Sequence, residues 1–261
     1  MSRIRLTITL EQKILKYIDS IVDKKKIRNR SHAIEYVLDK YFSPKISKAL
    51  ILAAGESCNE KTCKVMQKIN GKPVLHNIIK KLADFGINEA TIVVGGGSEE
   101  IKKYFGDGEK FGLAIRYEKQ KKPGSGTARA IFAAKQSFYN QPFILWYGDV
   151  WADLDLDDLV HTHLKEKKLA TMALTSVSEP GGWGVVQLRG LSVVQLKEKP
   201  GKNGHDSYLI NAGVYVLDPK LLDSIKKDSV SFEREVLSKM AKDNKLCGYV
   251  FADKWQDIGL E

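Results

Sequence analysis

Residues Leu52–Leu75 read LAAGESCNEKTCKVMQKINGKPVL, and the fold turns on how this stretch is understood. A short apolar run, Ala49-Leu50-Ile51-Leu52, leads directly into Ala53-Ala54-Gly55, the pattern of a buried strand that ends in a tight turn. A loop that wraps a triphosphate uses glycines for close backbone approach and an arginine for charge. After Gly55 this loop offers Glu56, Ser57, Cys58 and Asn59, with neither a second glycine nor an arginine. The ends of the stretch frame a nucleotide-binding turn, and its middle lacks the usual phosphate contacts.

Downstream, strand and helix signals alternate. Ala90–Val94 predicts a strand, Glu99–Phe105 a helix, Ala114–Tyr117 a strand, and Phe143–Tyr147 a strand running into Gly148-Asp149. This alternation predicts an α/β domain with a mostly parallel sheet covered on both faces. Ligands in such sheets sit at the carboxyl ends of strands, where the Gly55 and Asp149 turns both fall.

Upstream, RIRLTITL alternates strictly, with Ile4, Leu6, Ile8 and Leu10 on one face and Arg3, Arg5, Thr7 and Thr9 on the other. That is a strand with one buried side. A helix follows from Glu11 through Ile14, Leu15, Ile18, Ile21 and Val22, closed by Lys24-Lys25-Lys26 at the negative end of its dipole. Asn29-Arg30-Ser31 makes a turn, with Ser31 read as the N-cap of a second helix through Ala33, Ile34, Val37, Leu38, Tyr41 and Phe42. One strand and two short helices bury too little to stand alone, so dimerisation is expected. Residues 1–48 carry a charge balance of +7 out of the chain's +10, which points to a polyanion partner for this segment.

Residues 1–43 resemble the ribbon-helix-helix DNA-binding family, in which strands of two chains pair and enter the major groove. The resemblance implies that Arg3, Arg5, Thr7 and Thr9 face bases and that the backbone at Asn29 to Ser31 holds a phosphate. An arm that only dimerises fits the same pattern. Pro44 ends the second helix, and residues 44–48 form a linker to the large domain, 49–261.

The whole chain has 261 residues, 43% hydrophobic and 28% charged, as an ordinary globular protein does. Its apolar runs are too short to cross a bilayer, and no signal peptide opens it. Three cysteines, Cys58, Cys63 and Cys247, suggest no disulfide framework and a reducing, cytoplasmic setting. Cys58 and Cys63 with His161 and His163 match no zinc spacing, and the two histidines are expected to pack on a helix.

Further stretches fall into one order: Gly71-Lys72-Pro73, Tyr104-Phe105-Gly106-Asp107-Gly108, Gly126-Thr127-Ala128 and Gly148-Asp149. After them come Trp183-Gly184-Val185-Val186, Glu198-Lys199-Pro200, Ile210-Asn211-Ala212-Gly213-Val214-Tyr215 and Trp255-Gln256-Asp257-Ile258-Gly259. Together, residues 49–259 resemble the sugar-phosphate nucleotidyltransferases, or nucleotide-sugar pyrophosphorylases. The resemblance implies a Rossmann-like domain with a mostly parallel mixed sheet, which joins a nucleoside triphosphate to a sugar 1-phosphate and releases pyrophosphate. It also implies that Asp149 and Asp257 hold Mg²⁺, and that Leu52, Ala53, Ala54, Gly55, Gln120, Gly126 and Thr127 handle the nucleotide. Gly184, Glu198, Lys199 and Asn211 would handle the sugar phosphate, and Lys64 would match the catalytic lysine after the loop. The chain stops two residues after Gly259, where relatives carry on, as a trimmed chain would.

The residue types suit that chemistry. The nucleophile is a phosphate oxygen whose second pKa is about 6, so no strong general base is needed. Neutralisation and alignment are needed, from a metal on carboxylates and from lysines on phosphates. Family members usually read GxGTR or GxGSR in the loop, where this chain has Ser57, Cys58 and Asn59, and Cys63 stands in place of proline before Lys64. Loss of the arginine removes a charge-assisted contact worth on the order of 1.5–3 kcal/mol, part of which Lys61 is placed to restore. The expected function is Mg²⁺-dependent nucleotidyl transfer by a dimer. Two alternatives are a DNA-binding regulator that senses a nucleotide sugar, and transfer to a polyol or choline phosphate.

Overall fold

The structure is a computed structural model that describes residues 7–25, 27–42, 46–54, 63–96, 98–120, 126–202 and 204–259. Arg3, Arg5, Gly55 and the loop residues Glu56 to Lys61 lie outside the described residues. Contacts divide the chain into two units, Met1–Lys45 and Ile46–Glu261.

The first unit contains helices α1, Gln12–Ser20, and α2, Arg30–Phe42. Thr7 and Thr9 are exposed, and residues 7–10 join no sheet within the single chain. The N-cap of α2 is Asn29, not Ser31: the Asn29 side chain accepts the His32 backbone N–H at 2.9 Å, and its carbonyl accepts that of Ala33. Asn29 wins because its side-chain oxygen reaches the third residue on, as a cap requires. Ser31 lies inside the helix. Arg30 and Asp19 form a two-pronged ion pair that ties the helices together at 2.6 and 2.9 Å.

The second unit runs through β1 (Lys48–Ala53), β2 (Lys68–Ile69), β3 (Lys72–Pro73), α3 (Val74–Phe85), β4 (Glu89–Val94), α4 (Ser98–Phe105) and β5 (Ala114–Lys119). It continues with α5 (Thr127–Ala134), β6 (Phe143–Tyr147), β7 (Val150–Ala152), α6 (Leu156–Glu166), β8 (Ala170–Ser176), β9 (Gly184–Arg189) and β10 (Ser192–Glu198). β11 (Leu209–Leu217), a π-helical segment Phe232–Leu237, α7 (Ser238–Lys242), β12 (Leu246–Val250) and β13 (Trp255–Asp257) complete it.

Among the described residues, nine strands form one sheet in the order β5-β4-β1-β6-β11-β8-β12-β10-β9. The expected parallel pairing holds for β5-β4-β1-β6. It does not hold across the sheet: β11 runs antiparallel to β6 and β8, and β9 and β10 form an antiparallel hairpin. The sheet is mixed, as the resemblance implies, because the second half is built partly from hairpin and return strands that need no crossover helix. β1 alternates its side chains between two cores, Ala49, Ile51 and Ala53 against one and Leu50 and Leu52 against the other. Helices α3, α4 and α6 cover the first face, while α5 and the segment 232–242 cover the second. Both faces of β1 are buried, as its continuous apolar run requires.

His163 is buried on α6, its Nδ1 3.1 Å from the Thr171 hydroxyl, and burial pushes its pKa down to about 4. Cys247 is a buried free thiol, whereas Cys63 is disulfide-bonded, against the expectation of a chain without disulfides. No described helix is long and apolar enough to cross a membrane.

Candidate active site

The chain leaves β1 toward β4 and β5 on one side and reaches β6 on the other, so the strand order reverses between β1 and β6. A crevice opens at such a switch point, at the carboxyl ends of the strands. Gly148, just past β6, donates its N–H to the Leu52 carbonyl at 2.9 Å and closes the base of that crevice. Asp149 follows and β7 begins at once. β7 pairs antiparallel with β13, in a register that sets Asp257 opposite Val150. The Ile258 N–H donates to the Asp149 carbonyl at 2.9 Å.

This two-stranded ladder brings the two aspartates together from 108 positions apart in sequence. Their oxygens flank Gly259: a Cβ there would lie 2.9 Å from Asp257 Oδ1 and 3.0 Å from Asp149 Oδ2. Only a glycine leaves that space clear. Among the described residues no third carboxylate, histidine or cysteine completes a protein-only metal cage. An all-oxygen pair of carboxylates suits Mg²⁺, which keeps waters and is bound through one or two carboxylates plus substrate phosphates. The residues fit that ion.

Both aspartates line a cavity of about 680 Å³ that also receives Lys64, Gly126, Thr127, Gly184, Glu198, Lys199 and Asn211. Lys64 donates to the Gly259 carbonyl at 2.5 Å. Across the cavity, Glu198 ends β10, and the bare Cα of Gly184 on the paired strand makes room for it: a Cβ there would lie 2.8 Å from Glu198 Oε2. Lys199 takes a left-handed backbone, φ 49°, with its N–H donated to the Trp183 carbonyl at 3.0 Å. A non-glycine residue in that conformation is a local strain of the kind that collects at binding sites. Asn211 lies at a bulge in β11, its Oδ1 accepting the Gly213 N–H and its amide donating to Tyr215 Oη at 2.6 Å.

Not every expected residue reaches the cavity. Leu52 and Ala53 are buried within β1 and Ala54 is half-buried, all outside the lining. Gln120 is buried behind it, donating to the Gly126 carbonyl at 3.1 Å, and its Oε1 has no hydrogen-bond partner among the described residues.

Glu233 is the residue that sequence reasoning missed. It sits on the π-helical segment, 7% exposed, and lines the cavity. Its carboxylate accepts from Tyr147 Oη at 2.5 Å, Thr127 Oγ1 at 2.9 Å and Ser231 Oγ at 3.0 Å. Three hydroxyls from three segments meet on one buried charge. SFEREV carries no catalytic spacing that would mark it; the one signal is an acid directly after the apolar Phe232. Burial, followed by the charge of Glu233, raises the Glu198 pKa to about 7, against the opposing pull of Lys199 and Arg234. Tyr147 and Tyr215 are driven well above the usual phenol value, by burial first and the Glu233 charge next. The site thus has a carboxylate pair at Asp149 and Asp257, a basic side at Lys64 and Lys199, and a buried acidic wall at Glu198 and Glu233.

Comparison with known proteins matches residues 48–260 to the nucleotidyl transferase family. A glucose-1-phosphate thymidylyltransferase of Streptomyces antibioticus is 33% identical over 196 residues, 72% of this chain and 54% of that protein. The bifunctional protein GlmU of Methanococcus maripaludis is 34% identical over 224 residues, 81% of this chain and 51% of that protein. The chain spans about half the length of these two curated relatives. Among solved structures, HddC from Yersinia pseudotuberculosis superposes with a TM-score of 0.69 at 24% identity, over 82% of this chain and 94% of that one, a likeness of fold.

Proposed function

We propose, from the premise that the chain belongs to the nucleotidyl transferase family, that it joins a nucleoside triphosphate to a sugar 1-phosphate. The observation that carries this is one cavity with the Asp149–Asp257 pair at one end and Glu198 and Lys199 at the other. An oxygen of the acceptor phosphate attacks the α-phosphorus, the bond from that phosphorus to the bridging oxygen breaks, and pyrophosphate leaves with the electron pair. The acceptor phosphate is largely ionised at neutral pH, so the reaction needs no protein base.

Lys199 would meet the acceptor phosphate, and Glu198 would accept hydrogen bonds from sugar hydroxyls. Among the described residues Glu198 has no hydrogen-bond donor of its own, which leaves its carboxylate for a ligand. Lys64 would face the triphosphate, and Gln120, buried behind the cavity, would hold the Gly126 backbone against the nucleotide. Mg²⁺ held by Asp149 and Asp257 would neutralise phosphate charge. Glu198 and Asn211 line the same cavity, and an acceptor-rich wall of this kind suits a hydroxyl-bearing sugar better than choline. Pyrophosphate release, measured across the nucleoside triphosphates with several sugar 1-phosphates, tests the reading; no release with any pair overturns it.

The N-terminal unit supports a second element of the proposal, a dimerising DNA-binding arm over residues 1–43. Ile14, Tyr17, Val37 and Leu38 are each at least 45% exposed, while Ile18 and Ala33 are its buried apolar residues among those described. Two helices with so small a core need a partner surface, and a second copy supplies the matching one. With Asn59 where relatives carry an arginine, a sensor of nucleotide sugars is the rival function; it predicts product binding that changes DNA affinity without turnover.

A further inference from the structure

We propose that Trp183 is a positioning residue for the metal site: its indole N–H fixes the Asp257 carboxylate in the orientation that a divalent cation requires. The inference rests on the metal pair proposed above.

Trp183 Nε1 donates to Asp257 Oδ2 at 2.8 Å, while the Gly259 N–H donates to Oδ1 of the same carboxylate at 2.7 Å. Rotation about the last torsion of an aspartate is otherwise soft. Two donors, one on each oxygen, remove that freedom. Each carboxylate oxygen has two acceptor positions, so each keeps one for a cation. Oδ1 is also the oxygen that flanks the Gly259 gap opposite Asp149 Oδ2.

The tryptophan is itself held by its backbone and its ring. Its backbone N–H donates to the Pro180 carbonyl at 3.1 Å, and its carbonyl accepts the Lys199 N–H at 3.0 Å. Its ring meets Trp255 edge to face, centroids 5.7 Å apart, and the Trp255 indole donates to the Ala212 carbonyl at 3.1 Å. A ring that served only to fill space would not need its one polar atom on the carboxylate. Because Trp183 also accepts the backbone of Lys199, one residue links the metal end to the acceptor end of the cavity. Groups that orient a metal ligand are commonly worth about 10- to 100-fold in metal affinity.

The test uses the full chain and Mn²⁺, whose free and bound forms are separated by electron paramagnetic resonance. Trp183→Phe keeps the ring and loses the N–H, and it is expected to weaken Mn²⁺ binding about tenfold. Its thermal unfolding in chelator should match the unmutated chain. Asp257→Asn, run beside it, should lose Mn²⁺ binding altogether. Should Asp257→Asn bind like the unmutated chain, the metal reading itself fails. If Asp257→Asn loses the ion and Trp183→Phe keeps full affinity, the role given to Trp183 is wrong. Should Trp183→Phe fail to fold, the ¹⁵N-indole spectrum of the unmutated chain decides. Of its four indole resonances, at least one must shift when Mg²⁺ is added, and all four standing still overturns the inference.

Discussion

Lys64 and Gly259 stand 195 positions apart, yet the Lys64 ammonium donates to the Gly259 carbonyl at 2.5 Å. The contact places a cation beside the turn that separates the two aspartates. Lys64→Ala is expected to keep the fold and lower turnover by about 10²-fold or more, the scale for losing one donor aimed at developing charge. Steady-state pyrophosphate release beside far-ultraviolet circular dichroism checks this. A rate near that of the unmutated chain would remove Lys64 from the machinery.

The carboxylate pair gives a second expectation. Asp149→Asn and Asp257→Asn each take away a charge on which Mg²⁺ would depend, so each should abolish turnover and flatten its Mg²⁺ titration. Retention of activity with an ordinary Mg²⁺ profile in either variant rules that aspartate out as a ligand.

Glu198 makes stability depend on pH. Burial and Glu233 raise its pKa from an ordinary 4.5 to about 7. Its contribution is therefore whole below pH 4.5 and declines as pH rises through 7, because the unfolded chain ionises first. Glu198→Gln escapes that decline. It should gain up to about 3 kcal/mol over the unmutated chain between the acid and alkaline ends of this window. Urea unfolding of both proteins at pH 5 and pH 8 measures the difference, and an unchanged gap between them would show that Glu198 ionises freely. The same variant should bind the acceptor more weakly.

The N-terminal unit predicts assembly and DNA binding together. Deleting residues 1–44 should leave a monomer in sedimentation experiments, since the exposed Ile14, Tyr17, Val37 and Leu38 go with it. Arg5→Ala should weaken specific DNA binding, and affinity should drop steeply with salt as counterions are released. A truncated chain that stays a tight dimer moves the interface elsewhere. Binding that is indifferent to salt and to Arg5 argues against a DNA role.

Much of the site's frame was legible in the sequence because local rules determine it. The runs Ala49–Leu52 and Phe143–Tyr147 had to be buried strands, so the turns after them had to meet at one end of the sheet. The partnership of Asp149 with Asp257 was reachable through resemblance alone; no periodicity spans the β7–β13 ladder that creates it. Glu233 stayed hidden because its place in the site comes from Tyr147, Thr127 and Ser231, which only the tertiary fold assembles. The bond from Trp183 to Asp257 was equally invisible, since an indole N–H has no sequence signature. Ser31 was a fair cap by residue type, but Asn29 precedes the helix in space, and capping follows position.

The β7–β13 ladder has a consequence for the protein at rest. Main-chain pairing anchors the two strands, and two donors hold Asp257, so the fold itself sets the two carboxylates side by side. A divalent ion bound between them would hold to the folded form alone and so would act as a thermostat on the fold. At a hundredfold excess over its dissociation constant such an ion would add about 2.7 kcal/mol to folding. Chelators would therefore shorten the protein's working temperature range before any substrate is considered.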